Sequence, residues 1–584
     1  MVLTGFAQVS VAQVRARPST PDIPKDLPDA VVVAAFENPG GLANLEWMRV
    51  GLPAALYDKL TTHPNLRPVG GLAGVPDEKP IGATDAEAIT GLAGRAHARW
   101  VVTGSVARTE WKLDLTLHLW RVEGTPPVAR EVATWHKLDD FGQTLPMVAE
   151  GARELWKTAG TPWPKAAEAA LMRLPTADYY AFMLYGRGLR WMHGLGNPGD
   201  LVKAEKDLSR AVFIDPKFAE AHYALALLYS RKNLPAKARG RLTYALDLRP
   251  EYYAPIAALA TDAAAAKNRG EAIDLAARAL AIRPWDIDMR LLLGAQLWED
   301  GDVDGAFLEL GRIVKIDPDH LPARRLLVLV HATKGNGAEL AAQLEAIVRL
   351  DPDDRPARLD LGAAYWSLGR DGEAIKVYES IVRDDPRQLQ ALKFLGDIYR
   401  KRGDILVAIG WYEKALKANK NDPRPYFLLG SAYVEAGEDK KAIRIFTAAQ
   451  RFPKYLAEAE GNLGAIYLRL GDDVQAFRYT GQAARKRPSS PRVQYNYGLA
   501  LMRMKKYADS LEVLVHAGEL DPKDADVRFA QGVVLLRLGR LEDAEKAFQD
   551  CLKLDPQHAD AAYNLELIEE LRRRANEGEL QQPG

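Results

Sequence analysis

Residues suited to molecular recognition recur in this 584-residue chain at intervals of 34 or its multiples. An Asn side chain offers one acceptor and two donors, which can pair with both groups of a peptide backbone. Aromatic and Arg side chains supply much of the binding energy of protein interfaces. The residues in these series are Trp298, Trp366, Lys393, Arg400, Arg424, Phe427, Asn462, Arg492, Tyr495, Asn496, Phe529 and Asn564. Their chemistry predicts a binding surface for a protein or peptide.

The chain lacks the sequence motifs of common catalytic and phosphate-binding sites. The patterns GxxxxGK[ST], GxSxG, HExxH and CxxC are absent. No two of the ten histidines are four residues apart, the spacing that places two imidazoles on one helix face for a metal. The single cysteine, Cys551, excludes an internal disulfide and is predicted to be a buried core thiol. We therefore expect no catalytic residue, no metal site and no cofactor.

Glycine and proline follow the same interval of 34. Glycine adopts at low cost the left-handed conformation that ends a helix, and proline stops a helix. The glycines are Gly301, Gly335, Gly369, Gly403, Gly437, Gly471 and Gly539, with Asn233 and Lys505 at equivalent positions. The prolines are Pro216, Pro250, Pro284, Pro318, Pro352, Pro386, Pro488, Pro522 and Pro556. Two helix stops per period predict a series of antiparallel helix pairs.

Small residues occupy two further places in most periods, as Gly396 and Ala408 do in one repeat. They let the two helices of a pair approach closely. One pair cannot bury its apolar face alone, so neighbouring pairs must stack into a solenoid. The repeat that begins at Leu321 has Val328 and Leu340 at these two places. We expect it to be the weakest repeat of the array.

The small-residue, Tyr and Pro positions resemble those of the tetratricopeptide repeat family. The resemblance covers ten repeats in register from 219 to 558, and an atypical eleventh at 178–218 with the insertion HGLGNPGD between its helices. It implies a long all-α, right-handed superhelix over 178–558, a capping helix at 559–576 and a disordered tail at 577–584. It also implies a concave groove, lined by the first helix of each pair, that would contain the recognition residues named above.

Residues 29–160 have a different pattern. AVVVAAFEN is typical of a short buried strand, and NLEWMRVGLPAALYDKL repeats apolar residues at helical spacing. WKLDLTLHLWRVE and PVAREVATWHKL alternate with period two around the turn GTPP, which predicts a hairpin. The predicted order is βαβα, three strands and a helix, so the chain as a whole is of the α+β class. The first of these segments and GRAHARWVVTGSV resemble the TolB amino-terminal-like domain, a family that implies no shared catalytic residues.

Composition and charge exclude some classes of function. Lys and Arg number 78, as do Asp and Glu, and this formal net charge of zero argues against general nucleic-acid binding. No apolar stretch approaches the 18 or more residues of a transmembrane segment. Residues 1–28 fit either a flexible cytoplasmic tail or the remnant of a signal peptide. The second interpretation, which we favour, predicts a periplasmic or cell-envelope location.

These features together predict a non-enzymatic scaffold that binds a protein or peptide partner in the groove of its superhelix. Lys393, Arg400, Arg424 and Arg492 would form a basic wall, which favours a partner that is acidic or offers a free carboxyl terminus. The alternative is a sensory, regulatory or envelope-assembly protein whose α/β domain binds a small ligand or an envelope component. The sequence leaves the oligomeric state and the identity of the partner open.

Overall fold

The structure is a computed structural model that describes residues 20–22, 28–69, 82, 84–124, 126–194 and 200–576. The chain divides into two compact units, the first ending at Asn336 and the second beginning at Gly337. The boundary lies within the repeat that begins at Leu321. Most of the predicted tail at 1–28, the centre of the predicted insertion (195–199) and the predicted tail at 577–584 lie outside the described residues.

The first unit starts with a five-stranded sheet and three helices. These elements are β1 Asp29–Val33, α1 Met48–Leu60, β2 Leu66–Val69, α2 Ala86–Ala96, β3 Trp100–Thr109, β4 Lys112–Glu123, β5 Val128–Asp140 and α3 Thr144–Thr158. The strand order is β2-β1-β3-β4-β5, with β1 parallel to both β2 and β3 and the other pairs antiparallel. The predicted order of elements is therefore the observed one.

Alternating side chains of β1 divide this domain into three layers. Val31 and Val33 belong to the core that contains α1 and α3 residues, whereas Ala30 and Val32 belong to a second core with α2. The alternation arises because successive side chains of a strand point to opposite faces. Both faces of β1 are covered, which explains why its sequence is continuously apolar.

Helix pairs make up the rest of the first unit. They are preceded by a short helix that the sequence analysis missed, α4 Lys165–Met172. The following helices are α5 Tyr179–Met192, α6 Leu201–Ile214, α7 Ala219–Arg231, α8 Pro235–Leu248, α9 Tyr253–Ala265, α10 Arg269–Ile282, α11 Ile287–Glu299, α12 Val303–Ile316 and α13 Leu321–Lys334. Consecutive helices from α5 onward contact each other, as expected for stacked pairs.

The second unit continues the same pattern and is entirely helical in its described part. Its helices are α14 Gly337–Leu350, α15 Arg355–Ser367, α16 Asp371–Asp384, α17 Leu389–Lys401, α18 Ile405–Ala418, α19 Arg424–Glu435, α20 Asp439–Ala449, α21 Leu456–Leu470, α22 Asp473–Lys486, α23 Pro491–Arg503, α24 Tyr507–Leu520, α25 Ala525–Arg537, α26 Leu541–Leu554 and α27 Ala559–Asn576. The α+β class is confirmed. No helix in the described residues is long and apolar enough to cross a membrane.

The turn inside each helix pair requires a left-handed residue. Gly301 and Gly369 have φ of 88° and 74° there, and the other glycines of the series behave alike. Asn233 and Lys505 adopt the same conformation, with φ of 56° and 58°. The turn therefore keeps its conformation at positions where another residue replaces glycine, at a modest cost in backbone energy.

Glycine at the eighth place of a repeat makes room for a large side chain of the second helix. Within the second unit a methyl group added at Gly396 would overlap the ring of Tyr412, and one added at Gly430 would overlap Phe446. Both rings are almost completely buried. The close approach of the two helices thus depends on the missing side chain.

The sheet domain and the first repeats share one core. Trp47, which precedes α1, makes edge contacts with Tyr179 and Phe182 of α5, at centroid distances of 6.0 and 5.5 Å. Gly186 of α5 lies against Trp47, where any larger residue would collide with the indole. Helix α1 accordingly contacts both α3 and α5.

Thr20, Pro21 and Asp22 lie against the pair α11–α12 of the first unit. Arg290, which is fully buried, donates to the carbonyl oxygens of Pro21 at 2.9 Å and Pro284 at 2.7 Å. Arg290 also forms an ion pair with Glu309, which is 4% exposed. An early segment of the chain therefore completes a buried polar cluster located about 270 residues away in sequence.

Candidate functional site

The predicted groove residues lie on the first helices of their repeats. Trp366 is on α15, Lys393 and Arg400 on α17, Arg424 and Phe427 on α19, Asn462 on α21, Arg492, Tyr495 and Asn496 on α23, Phe529 on α25 and Asn564 on α27, all in the second unit. Trp298 is on α11 of the first unit, where it is half-buried against the core. Contacts link α15 with α17, α21 with α23 and α23 with α25.

The aromatic members of this set are half-buried. Phe427 contacts Phe446 at a centroid distance of 6.0 Å, and Phe529 contacts His558 at 4.6 Å. Tyr495 packs against the core formed by Leu514 and its neighbours. Each ring therefore contributes to the fold with part of its surface and remains accessible with the rest.

Trp366, another aromatic residue of the predicted groove set, has an indole nitrogen whose hydrogen-bonding capacity is not satisfied. Its ring meets Phe394 edge-on at 6.0 Å, and the Lys401 ammonium lies 5.9 Å from the ring centroid. The indole nitrogen is buried and has no hydrogen-bond partner in the described part of the chain. A buried donor without a partner costs free energy, so a ligand acceptor at this position would be favoured.

Two of the four predicted cations are already paired with carboxylates. Arg424 donates to both oxygens of Asp422 at 2.8–3.1 Å, and Arg400 lies 3.2 Å from Glu435. Half of the expected basic wall is thus neutralised by acidic side chains of the chain itself. The sequence analysis did not predict that Asp422 and Glu435 would form these pairs. The reason is local geometry: the turn before α19 places Asp422 against Arg424, although their separation is only two residues.

The other two cations have no such partner. Within the described residues, neither Lys393 nor Arg492 has a carboxylate within 4 Å. Burial and the nearby Arg424 lower the pKa of Lys393. Arg492 is exposed on the first turn of α23. No carboxylate of the described residues therefore competes for these two side chains at salt-bridge distance.

The three asparagines differ in their hydrogen bonds. Asn564 donates its side-chain amide to the carbonyl oxygen of Asp560 at 2.7 Å, one turn earlier in α27. Asn462 and Asn496 are half-buried, and their amides have no partner among the residues that the structure describes. They lie on α21 and α23, which contact each other. Two adjacent repeats therefore each present a free amide.

Sequence reasoning missed a cavity of about 900 Å³ in the first unit. It lies between α1 of the sheet domain and helices α5, α7 and α9, and tyrosines form much of its lining. The tyrosines in the segments HYALALLYS and EYYAP are the sequence feature that could have indicated this cavity. The cavity could not be predicted from them, because nothing in the sequence shows that α1 packs beside these residues.

A buried ion cluster forms part of this cavity wall. Arg249 lies 2.9 Å from Asp58 and 3.0 Å from Glu220, and Arg173 lies 3.8 Å from Glu220. Burial, with a smaller contribution from Asp58, raises the pKa of Glu220 to about 7 despite the attraction of Arg249. Lys59 on α1 belongs to the same group of charges.

We expect Glu220 to make the stability of the first unit depend on pH. Between the ordinary pKa of 4.5 and about 7, the unfolded chain loses the Glu220 proton while the folded chain keeps it. The contribution of this group to the free energy of unfolding should therefore fall as pH rises through that window. Urea unfolding of wild type and Glu220→Gln at pH 5, 6, 7 and 8 should show a shallower decline in the variant.

Glu251→Gln is the matched control, because Glu251 lines the same cavity but is exposed. Its pH profile should follow that of wild type. Parallel profiles for wild type and Glu220→Gln would contradict the assignment of the pH dependence to Glu220.

Sequence models of one family match four partly overlapping ranges of the chain. A model described as TPR repeat matches residues 396–437, and models described as tetratricopeptide repeat match 333–396, 495–559 and 529–575. No curated protein matches the chain. The family matches fall on the helix pairs with the glycine and aromatic packing described above.

Several solved structures resemble parts of the chain at low similarity. YrrB, described as a TPR protein with an unusual peptide-binding site, is 18% identical over 32% of this chain and 97% of its own, with a TM-score of 0.29. MamA from Desulfovibrio magneticus RS-1 is 20% identical over 29% and 97%, with a TM-score of 0.28. The APC/C hetero-tetramer Cut9–Hcn1 is 17% identical over 73% and 92%, with a TM-score of 0.33. Scores this low add nothing to the family matches.

Proposed function

The chain is a tetratricopeptide-repeat protein, and we propose that its second unit binds an extended segment of a protein partner along the first helices of its repeats. Tetratricopeptide repeats bind proteins and peptides, which supports a scaffold role in general. The proposed binding surface consists of Trp366, Lys393, Phe427, Asn462, Arg492, Tyr495, Asn496 and Phe529.

The observation that carries this proposal is the pair of free amides at Asn462 and Asn496. Each offers an acceptor and two donors, and each is half-buried on a first helix next to the other. An extended backbone presents N–H and C=O groups that such amides can satisfy. The half-exposed rings of Phe427, on α19, and Tyr495, on α23 beside Asn496, supply apolar contact.

The favoured partner segment is acidic or ends in a free carboxyl group. Lys393 and Arg492 are the cations that remain available, whereas Arg400 and Arg424 are engaged by acids of this chain. A carboxylate of the partner would gain a charge-assisted hydrogen bond from either side chain. To bind Arg424 or Arg400, the carboxylate of the partner would have to compete with Asp422 or Glu435.

The remaining sequence-based predictions are kept as proposals. We propose that the protein is a non-enzymatic scaffold, since tetratricopeptide repeats typically serve binding. The resemblance of residues 29–160 to the TolB amino-terminal-like domain and a periplasmic or cell-envelope location stay predictions, with a cytoplasmic location as the alternative. A sensory or regulatory role through a small ligand is the second candidate, and the cavity beside α1 favours it.

The decisive experiment uses the full chain and a fluorescein-labelled peptide selected from a random 12-residue phage library. Changing Asn462 and Asn496 together to Ala should weaken binding at least about tenfold, measured by fluorescence anisotropy. The reason is that each lost hydrogen bond contributes ~0.5–1.5 kcal/mol, and 1.4 kcal/mol is a factor of ten. Arg492→Ala should weaken the binding of acidic peptides more modestly, by the ~0–1 kcal/mol typical of exposed charges.

Two control variants lie on the second helix of the same repeat as Asn462. Gln482→Ala removes a half-buried amide and Arg485→Ala an exposed cation, both on α22. Neither should change the affinity of the selected peptide. Equal binding by wild type and the double Asn variant, or selection of no peptide at all, would exclude this surface as the site.

A further inference from the structure

The cavity between α1 and the first repeats has the dimensions of a small-molecule site. Its volume of about 900 Å³ lies within the ~300–1,000 Å³ usual for ligand pockets. It lies wholly within the first unit, at the junction of the sheet domain and the repeats. Such junctions are a preferred place for ligand sites. What the cavity could hold follows from its unsatisfied polar groups.

Five tyrosines line the cavity, and they differ in the partners of their hydroxyl groups. The Tyr57 hydroxyl donates to the Pro68 carbonyl oxygen at 3.3 Å, and that of Tyr253 donates to Asp286. The hydroxyls of Tyr185, Tyr223 and Tyr252 have no hydrogen-bond partner among the described residues. Tyr185 is only 7% exposed, and its hydroxyl lines the cavity as a donor that a ligand could satisfy.

Two carboxylates of the cavity wall, Asp58 and Glu220, are already engaged, and the third, Glu251, is exposed. Arg249 holds Asp58 and Glu220 at 2.9 and 3.0 Å, as described above. Their capacity to attract a cationic ligand is thereby reduced. Arg249 itself lies over the ring of Tyr252, with its central carbon 4.7 Å from the centroid. Arg249 thus engages both carboxylates and one ring of the wall.

Arg283 is the cation of the wall that has no carboxylate. Its guanidinium carbon lies 3.9 Å from the ring centroid of Tyr253, and no acid lies within 4 Å of its nitrogens in the described part of the chain. Arg283 is half-buried. Stacking on the ring orients the guanidinium and leaves its N–H groups free for a planar acceptor such as a carboxylate.

We propose that this cavity binds a small aromatic carboxylate, with Arg283 and the free tyrosine hydroxyls as donors to its carboxyl group and the tyrosine rings as walls for its apolar body. The groups of the wall that lack a partner are mainly hydrogen-bond donors, and donors favour a ligand with a negative charge. Burial raises the pKa of Tyr185 and of Tyr252, so both hydroxyls keep their protons and can donate. This inference is independent of peptide binding by the second unit.

The test compares three probes of nearly equal shape by isothermal titration calorimetry on the full chain. These are 2-naphthoate, the neutral 2-naphthamide and the cationic 2-naphthylmethylammonium. We expect 2-naphthoate to bind at least tenfold more tightly than the amide, and the ammonium compound to bind least. Preference for the ammonium, equal affinity for acid and amide, or no binding by any probe at millimolar concentration would overturn the proposal.

Variants then locate the bound carboxylate. Arg283→Met keeps the apolar stem and removes the charge, so 2-naphthoate affinity should fall at least tenfold while 2-naphthamide affinity changes little. Tyr185→Phe removes one hydroxyl and should lower the affinity for 2-naphthoate several-fold. Arg269→Met on α10 is the control, because Arg269 is exposed, pairs with Glu299 at 3.3 Å and does not line the cavity. Unchanged 2-naphthoate binding by a folded Arg283→Met variant would place the ligand elsewhere.

Discussion

Replacing Gly396 with alanine is expected to lower the free energy of unfolding of the second unit by about 1–3 kcal/mol. The added methyl group would overlap the ring of Tyr412, which is fully buried. The ring cannot easily move away, because its hydroxyl donates to Asp397 at 2.5 Å. Urea unfolding of the full chain, followed by hydrogen–deuterium exchange in peptides from 389–418, would measure the loss where it arises.

Gly410→Ala provides a control of opposite sign in the same helix pair. Gly410 lies within α18, and apart from its chain neighbours and the local backbone of its own helix, no atom of the described chain lies within 4 Å of the position of its missing methyl group. Alanine is the better helix former, so this variant should gain about 0.5–1 kcal/mol. Stabilisation by both alanines would show that close approach of the two helices does not require glycine at position 396.

Replacing Arg290 with methionine is expected to destabilise the first unit by about 3 kcal/mol. Arg290 is fully buried, and its loss removes one ion-pair partner of Glu309 and the donor to two carbonyl oxygens. The effect should lie at the lower end of the range for buried pairs, because Arg312 still contacts Glu309 at 2.6 Å. Urea unfolding with exchange in peptides from 287–316 would report it.

A second variant separates the buried charge from the packing of the side chain. Adding Glu309→Leu to Arg290→Met removes the buried carboxylate, which would otherwise have lost one of its two arginine partners, and should recover a large part of the lost stability. Arg269→Met, which breaks an exposed pair, should cost no more than ~0–1 kcal/mol. An effect of Arg290→Met as small as that of Arg269→Met would mean that the buried cluster contributes little.

Much of the fold could be predicted from residue types and their intervals. The glycines at intervals of 34 mark left-handed turns because that conformation is a local property of the backbone, and Asn233 and Lys505 adopt it as well. The glycine opposite a large ring, as at Gly396 and Tyr412, repeats with the same period. The alternation in 112–140 likewise predicted the hairpin of β4 and β5.

The candidate surface could be predicted only as a set of positions. The sequence placed Arg400 and Arg424 on first helices, but it did not show that Glu435 and Asp422 would pair with them. Charge pairing depends on side-chain distances of a few ångströms, which helical spacing does not determine. The predicted basic wall is for this reason reduced to Lys393 and Arg492.

By itself, the sequence determined the repeat, its turns, the α+β class and the positions of the candidate binding residues on the first helices. Only the tertiary structure decided which charges meet and where a cavity forms. Asp58 and Arg249 are 191 positions apart and meet because α1 packs beside the first repeats. Thr20 reaches Arg312 across 292 positions for a similar reason. Periodic patterns encode contacts within and between neighbouring repeats, whereas contacts between distant segments follow from packing that no local pattern records.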